Sequence, residues 1–217
     1  MRPRLHGTPL SHFTRKLRIL LAEFGVEFDL VPAPNGVLAT DAAGFGDNPL
    51  MRVPTLVHDG ETLIESDHIA RYLVRTYDPD DRFGVRSERT ADLNRLAMAN
   101  GVMANEVVLI LAKRGGLADL ERVVYFQKLA LGIDNGLAWL DAHTDPDAPG
   151  FDYRDIATIC MWQHVVHYAI ATGLERAVSG ARSAPEGERG LIDRYPRIAA
   201  RVARFADRPS VANTAPR

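Results

Sequence analysis

The stretch Asn48-Pro49-Leu50-Met51-Arg52-Val53-Pro54-Thr55-Leu56-Val57-His58-Asp59-Gly60-Glu61-Thr62-Leu63-Ile64-Glu65-Ser66-Asp67 organises the N-terminal half of the chain. Thr55 to His58 and Glu61 to Ile64 are short runs rich in β-branched and apolar residues, and Asp59-Gly60 between them is the two-residue signal of a primed hairpin turn. Directly after the second run, Ser66 is a candidate N-cap, and Ile69, Ala70, Leu73 and Val74 recur at helical spacing. A hairpin running into a helix start offers free backbone N–H groups. A carboxylate brought there is held by those donors and by the helix dipole.

Working upstream, Arg4-Leu5-His6 reads as a first strand, broken by Gly7-Thr8-Pro9. Phe13, Leu17, Leu20, Leu21 and Phe24 then fall at helical spacing, with Gly25 as the stop. Val26, Phe28 and Leu30 alternate with Glu27 and Asp29, the pattern of a half-buried strand. Residues 32–47 are a loop or a short second helix. The resulting order, β-α-β-(loop or α)-β-β-α over residues 1–77, matches an α/β thioredoxin-like domain, although order alone also admits other small α/β folds.

Downstream, Asp78-Pro79-Asp80-Asp81-Arg82-Phe83-Gly84 has linker composition, giving a linker over residues 78–87. Residues 88–217 then read as an all-α C-terminal domain. Leu93, Leu96, Ala97, Asn100, Met103, Ala104, Val107, Val108 and Leu111 form one apolar stripe, stopped at Gly115-Gly116. Val123, Phe126, Leu129, Ala130, Ile133, Leu137 and Leu140 form a second. A third helix, from Tyr153 to about Thr172, is apolar on most sides and is the expected central helix of the bundle. Asp152 and Asp155 at its start have the spacing of a capping box, a structural role rather than an acid–base pair. Residues 182–190 read as a mobile excursion between the last helices.

Composition narrows the function. The 217 residues are 46% hydrophobic and 25% charged, with a formal net charge of −2. No overall basic field is present to attract nucleic acid or anionic lipid. The single cysteine, Cys160, excludes an intrachain disulfide and a CxxC pair, and suits a reducing compartment. No apolar run approaches the roughly 18 residues that span a bilayer. The Arg and Lys of the first two dozen residues resemble a transit peptide, but Glu23 and the fit to a strand and helix argue against one, so a cytoplasmic protein is expected.

The string from Val53 to Tyr72, with Val-Pro before a strand and Glu-Ser before a helix, resembles the glutathione-binding half of the cytosolic glutathione S-transferases, and of their serine-type bacterial members in particular. The resemblance implies a cis bond before Pro54, pairing of the Val53 backbone with the cysteinyl part of glutathione, and a γ-glutamyl end held by Glu65 and Ser66. Arg52 matches a position that reaches the glycine carboxylate of glutathione in relatives; a solvated surface arginine is the alternative. Further along, Asn94 to Met103, Gln127 to Leu140 and Tyr195 to Ser210 are similar to the helical domain of the small bacterial members.

The same resemblance points to Ser11. Ser11 lies at the first turn of the first helix, where a hydroxyl beside the positive helix end can donate a hydrogen bond to a thiolate and favour the ionised sulfur. Ser11 to Lys16 has the Ser/Cys-x-x-x-x-Arg/Lys spacing of the activating residue in several classes. Serine instead of cysteine favours thiol addition over reduction through a mixed disulfide. His12 stands where many relatives have proline. Thr14 is a second hydroxyl in the same turn, and the bland alternative is that Ser11 only caps the helix.

The resemblance implies glutathione as co-substrate, no metal, a homodimer, and a hydrophobic electrophile held between the domains by Leu10, Asn100, Met103 and Val107. Peroxidase, isomerase or dehalogenase chemistry on the same thiolate is the alternative within enzymes, and a binding or regulatory protein without turnover is the rival class. His164 and His167, three apart on a helix, read as packing or surface residues rather than metal ligands. Trp139, Trp162 and Cys160 read as core.

Overall fold

The computed structural model describes residues 1–172 and 187–216, and its backbone forms two compact units, Met1–Ser87 with Asp207–Arg217, and Glu88–Ala206. In the first unit, β1 (Arg4–Gly7), α1 (His12–Glu23), β2 (Asp29–Pro32), β3 (Thr55–His58), β4 (Glu61–Ile64) and α2 (Ser66–Tyr77) follow in order, with a single 3-10 turn at Ala43–Phe45. The sheet runs β2-β1-β3-β4. β1 is parallel to β2 and antiparallel to β3, which is antiparallel to β4.

Leu30, Leu5, Leu56 and Leu63 lie directly opposite one another across the four strands. Directly opposed residues share a face, so these leucines form one row. Leu5 and Leu56 are fully buried, as are Leu17, Leu20 and Leu21 of α1 and Ile69, Leu73 and Val74 of α2. Burying each such side chain contributes about 1.5–3 kcal/mol. The hairpin forms as its sequence requires, with Asp59 and Gly60 both at positive φ (50° and 83°).

Of the loop or short helix expected over residues 32–47, the structure has the loop, with one 3-10 turn in it. Three local expectations change. β2 begins only at Asp29, so Val26 to Phe28 alternate in burial without being paired strand. The N-cap of α2 is Glu65, and Ser66 is its first helical residue. Residues 78–87 are a tied-down turn rather than a bare linker. Asp78 accepts from the N–H of Arg82 (2.9 Å), Asp81 from those of Val85 (2.8 Å) and Arg86 (2.9 Å), and Phe83 and Val85 are buried. Composition showed the turn formers but not the two apolar anchors among them.

The second unit is helical: α3 (Thr90–Arg114), a 3-10 turn at Leu120–Arg122, α4 (Val124–Ala142), α5 (Tyr153–Thr172), α6 (Gly187–Arg194) and α7 (Pro196–Arg204). α3 packs on α4 and α5, and α5 on α6 and α7. α5 is the central helix, buried on most sides from Tyr153 to Val165. At its start, Asp152 accepts from the N–H of Asp155 (3.1 Å) while Asp155 accepts from that of Asp152 (3.1 Å), a reciprocal capping box. Of the excursion expected at residues 182–190, the part up to 186 lies outside the described residues; from Gly187 the chain is helix.

On α3 the buried stripe is Ala99, Val102, Met103, Glu106, Leu109 and Ile110. It is displaced around the helix from the expected one, whose Leu93, Val108 and Leu111 are 41%, 39% and 36% exposed. A buried acid hid the packed face: Glu106 Oε2 lies 2.8 Å from Nδ1 of His164 on α5, though without the angles of a regular hydrogen bond. α3 also carries an 18-residue window of mean hydropathy 1.4, long and apolar enough by length and composition to cross a membrane. Asn100, Asn105 and Glu106 interrupt the run without lowering its average below that mark, and the helix packs within the bundle.

After α7 the chain returns to the first unit through α8 (Pro209–Ala212). Arg208 grips Glu23 of α1 through two bonds of 2.6 Å, and the buried Arg15 donates to the Val211 carbonyl (3.1 Å) and the Thr214 hydroxyl (3.2 Å). The last residues are therefore structurally part of the sheet-containing unit.

Candidate functional site

Strand register brings three chain segments to one end of the sheet. Thr55 pairs with Ile64, so Val53-Pro54 and Glu65-Ser66 leave the hairpin at the same end. His6 pairs with Thr55, so the β1–α1 loop that carries Ser11 leaves there too. This follows from β1 and β4 both being antiparallel to β3.

Val53 precedes Pro54 through a cis peptide bond. Among the described residues, neither the N–H nor the C=O of Val53 has a backbone partner, although the next residue begins β3. Exposed backbone groups at a strand end are a template for another extended chain. Pro54 is buried and fixes the turn from below. Arg52 is exposed; its carbonyl is held by Asn48 Nδ2 (2.9 Å) and the Thr55 hydroxyl (3.2 Å), which leaves the guanidinium at the surface.

Glu65 has φ 71° and ψ 120°, outside the regions a residue with a Cβ ordinarily adopts. Holding it there costs on the order of 1–3 kcal/mol, a strain that concentrates at binding sites. Its side chain is exposed and makes no cap of its own for α2. Ser66 is buried, 3% exposed. In the next position Asp67 accepts a 2.6 Å hydrogen bond from Lys16 of α1, whose side chain is completely buried.

Ser11 is the N-cap of α1, its Oγ accepting from the N–H of Thr14 at 3.2 Å. That bond uses a lone pair, and among the described residues nothing receives the Ser11 O–H. Capping and donation to a ligand are thus compatible in one hydroxyl. The Thr14 hydroxyl is fully buried against Gly7, where an added Cβ would come within 2.3 Å of Thr14 Cγ2. Thr14 packs inward and Ser11 is the half-exposed hydroxyl of this turn.

Of the expected pocket residues, Leu10, Asn100 and Val107 are half-buried. Met103 is fully buried on the packed face of α3 and is core rather than pocket wall. His164 turns to Glu106, an acidic neighbour that no sequence spacing connected to it; burial pushes the Glu106 carboxyl up, with His164 opposing. Cys160 is fully buried, as expected. The Lys16–Asp67 pair was not foreseen. The signal available was a lysine facing inward on an apolar helix face, which requires a partner.

Residues 5–81 match the family model for the glutathione S-transferase N-terminal domain. A curated relative, glutathione S-transferase 4 of Zea mays, is 33% identical over 89 residues, a match spanning 41% of this chain and 40% of the relative's length. Among solved structures, a glutathione transferase family member from Pseudomonas fluorescens Pf-5 with bound glutathione superposes with a TM-score of 0.79 at 24% identity, over 99% of each chain. A glutathione S-transferase from Methylobacterium radiotolerans in complex with glutathione sulfonate gives 0.76 at 24% identity, over 100% of this chain and 95% of that one. These likenesses establish the fold, a thioredoxin-like domain followed by an all-helical one. Over residues 5–81 the chain is similar to the N-terminal domain of the glutathione S-transferases.

Proposed function

We propose that this chain is a glutathione transferase in which the tripeptide lies extended along Val53, its γ-glutamyl end at Glu65 and Ser66 and its sulfur facing Ser11. The observation that carries the reading is the unpartnered backbone of Val53 at the sheet end where the Ser11 and Glu65-Ser66 segments also emerge. The N–H and C=O of Val53 match the C=O and N–H of a cysteinyl residue in antiparallel pairing. The first turn of α2 favours the γ-glutamyl carboxylate, and exposed Arg52 is available to the glycine carboxylate.

The Ser11 O–H donates to the thiolate at the positive end of α1. A thiol of ordinary pKa, near 8.5, is mostly protonated at neutral pH, and each unit of lowering raises the thiolate concentration nearly tenfold. The sulfur then attacks a hydrophobic electrophile. A homodimer in the cytoplasm completes the proposal. Calorimetric titration with glutathione tests it. The native protein binds the tripeptide, and S-methylglutathione, whose sulfur cannot form a thiolate, competes for the same site; absence of any binding would refute the reading.

A further inference from the structure

Lys16 is an unusual residue for its place. Its side chain has no exposed surface, yet it ends in a charge, and that charge lies 2.6 Å from Asp67 Oδ1. A lysine is fully buried only when paired, because an uncompensated ammonium in the interior is strongly unfavourable. The two residues sit at significant places. Lys16 is five residues beyond Ser11, in the second turn of α1, and its Nζ lies over the Phe13 ring, 5.4 Å from the centroid. Asp67 is the second residue of α2, one beyond Ser66, and 32% exposed. α1 and α2 pack against each other, and this bond joins the second turn of α1 to the first turn of α2.

Asp67 also poses an electrostatic problem. A carboxylate in the first turn of α2 competes for the same N–H groups and the same dipole that a ligand carboxylate would use. Lys16 draws that charge onto itself. We infer that Lys16 is a positioning residue: through Asp67 it fixes the start of α2 to the start of α1, so that Ser11 and the Glu65-Ser66 corner address one ligand, and it offsets the Asp67 charge beside the ligand's γ-glutamyl carboxylate. This rests on the glutathione reading above and adds a residue to it. The role is distinct from that of Ser11, since Lys16 is enclosed and touches no ligand.

The test measures glutathione affinity by calorimetry and ionisation of the bound thiol by ultraviolet absorbance against pH, for the native protein, Lys16→Met and Lys16→Met/Asp67→Asn. Lys16→Met removes the Lys16 charge that faces Asp67 and can fail to fold. The double variant removes both charges, which interiors tolerate well, and so decides the matter alone. The expected result is a thermal midpoint near the native one for the double variant, with glutathione binding weakened about tenfold or more and thiol ionisation moved to higher pH. A purely structural pair would leave that ionisation unmoved. Native affinity and native ionisation in the folded double variant would overturn the role of Lys16 while leaving the glutathione reading intact. Failure of the native protein to bind glutathione would overturn both.

Discussion

Ser11 Oγ receives the N–H of Thr14 at 3.2 Å, so the residue proposed to activate the thiol is also the one that starts α1. Substitution therefore has two separable effects. Ser11→Ala loses the cap, at about 1 kcal/mol, and also the hydroxyl donor. Ser11→Asp keeps an acceptor for the cap but has no O–H to give at neutral pH. Denaturant unfolding should show Ser11→Asp close to native stability and Ser11→Ala below it, while both lose thiolate formation. Recovery of thiolate in Ser11→Asp would mean the hydroxyl is only a cap.

Gly7 is the one place on β1 where a side chain has no room. An added methyl would meet Thr14 Cγ2 at 2.3 Å and Oγ1 at 2.6 Å. Gly7→Ala must push the first turn of α1 away from the sheet, at about 1–3 kcal/mol. The expected outcome is lower stability together with weaker glutathione binding, since Ser11 moves with that turn. Gly7→Ala/Thr14→Ala, which removes both the clashing methyl and the clashing hydroxyl, should recover part of the stability.

Asp155 and Arg201 form a pair of opposite charges, 1% and 5% exposed, joined at 2.7 and 2.8 Å. Removing one partner strands a buried charge, at about 3–5 kcal/mol. Asp155→Ala should therefore destabilise far more than Asp152→Ala, which costs about 1 kcal/mol as the loss of a cap. Urea unfolding of the two variants distinguishes them; equal losses would reduce Asp155 to a capping residue.

Glu23 ties α1 to the C-terminal segment. Burial alone would raise its carboxyl, but the hydrogen bonds from Arg208 and Ser210 outweigh it and hold the group below its ordinary value of 4.5. A depressed carboxylate contributes stability that is present above 4.5 and lost as pH falls through the folded value. Glu23→Gln should thus be less stable than native by about 1.5–3 kcal/mol at pH 7. The gap should close as pH drops below 4.5. A gap that does not vary with pH would contradict the assignment.

The hairpin was legible in the sequence because Asp59-Gly60 specifies the turn locally, whereas the roles expected of Val53-Pro54 and Glu65-Ser66 came from the family resemblance and not from the turn. The core face of α2 was legible because Ile69, Ala70, Leu73 and Val74 keep one period without a polar interruption. On α3 the same method selected the wrong stripe, since burial of Glu106 depends on His164, a residue 58 positions away. Lys16 was hidden for the same reason: a charged residue becomes core only through a partner that periodicity does not encode, here Asp67. The C-terminal segment gave no sign of joining the first unit, because its attachment is a set of ion pairs and hydrogen bonds to Arg15 and Glu23 rather than an apolar pattern.

The most direct measurement is the pH titration of the glutathione thiol bound to the native protein and to Ser11→Ala, followed by thiolate absorbance. The account predicts a midpoint well below the free thiol's value of about 8.5 for the native complex, returning toward it in Ser11→Ala while glutathione stays bound. A bound thiol that titrates like free glutathione in the native protein would contradict it.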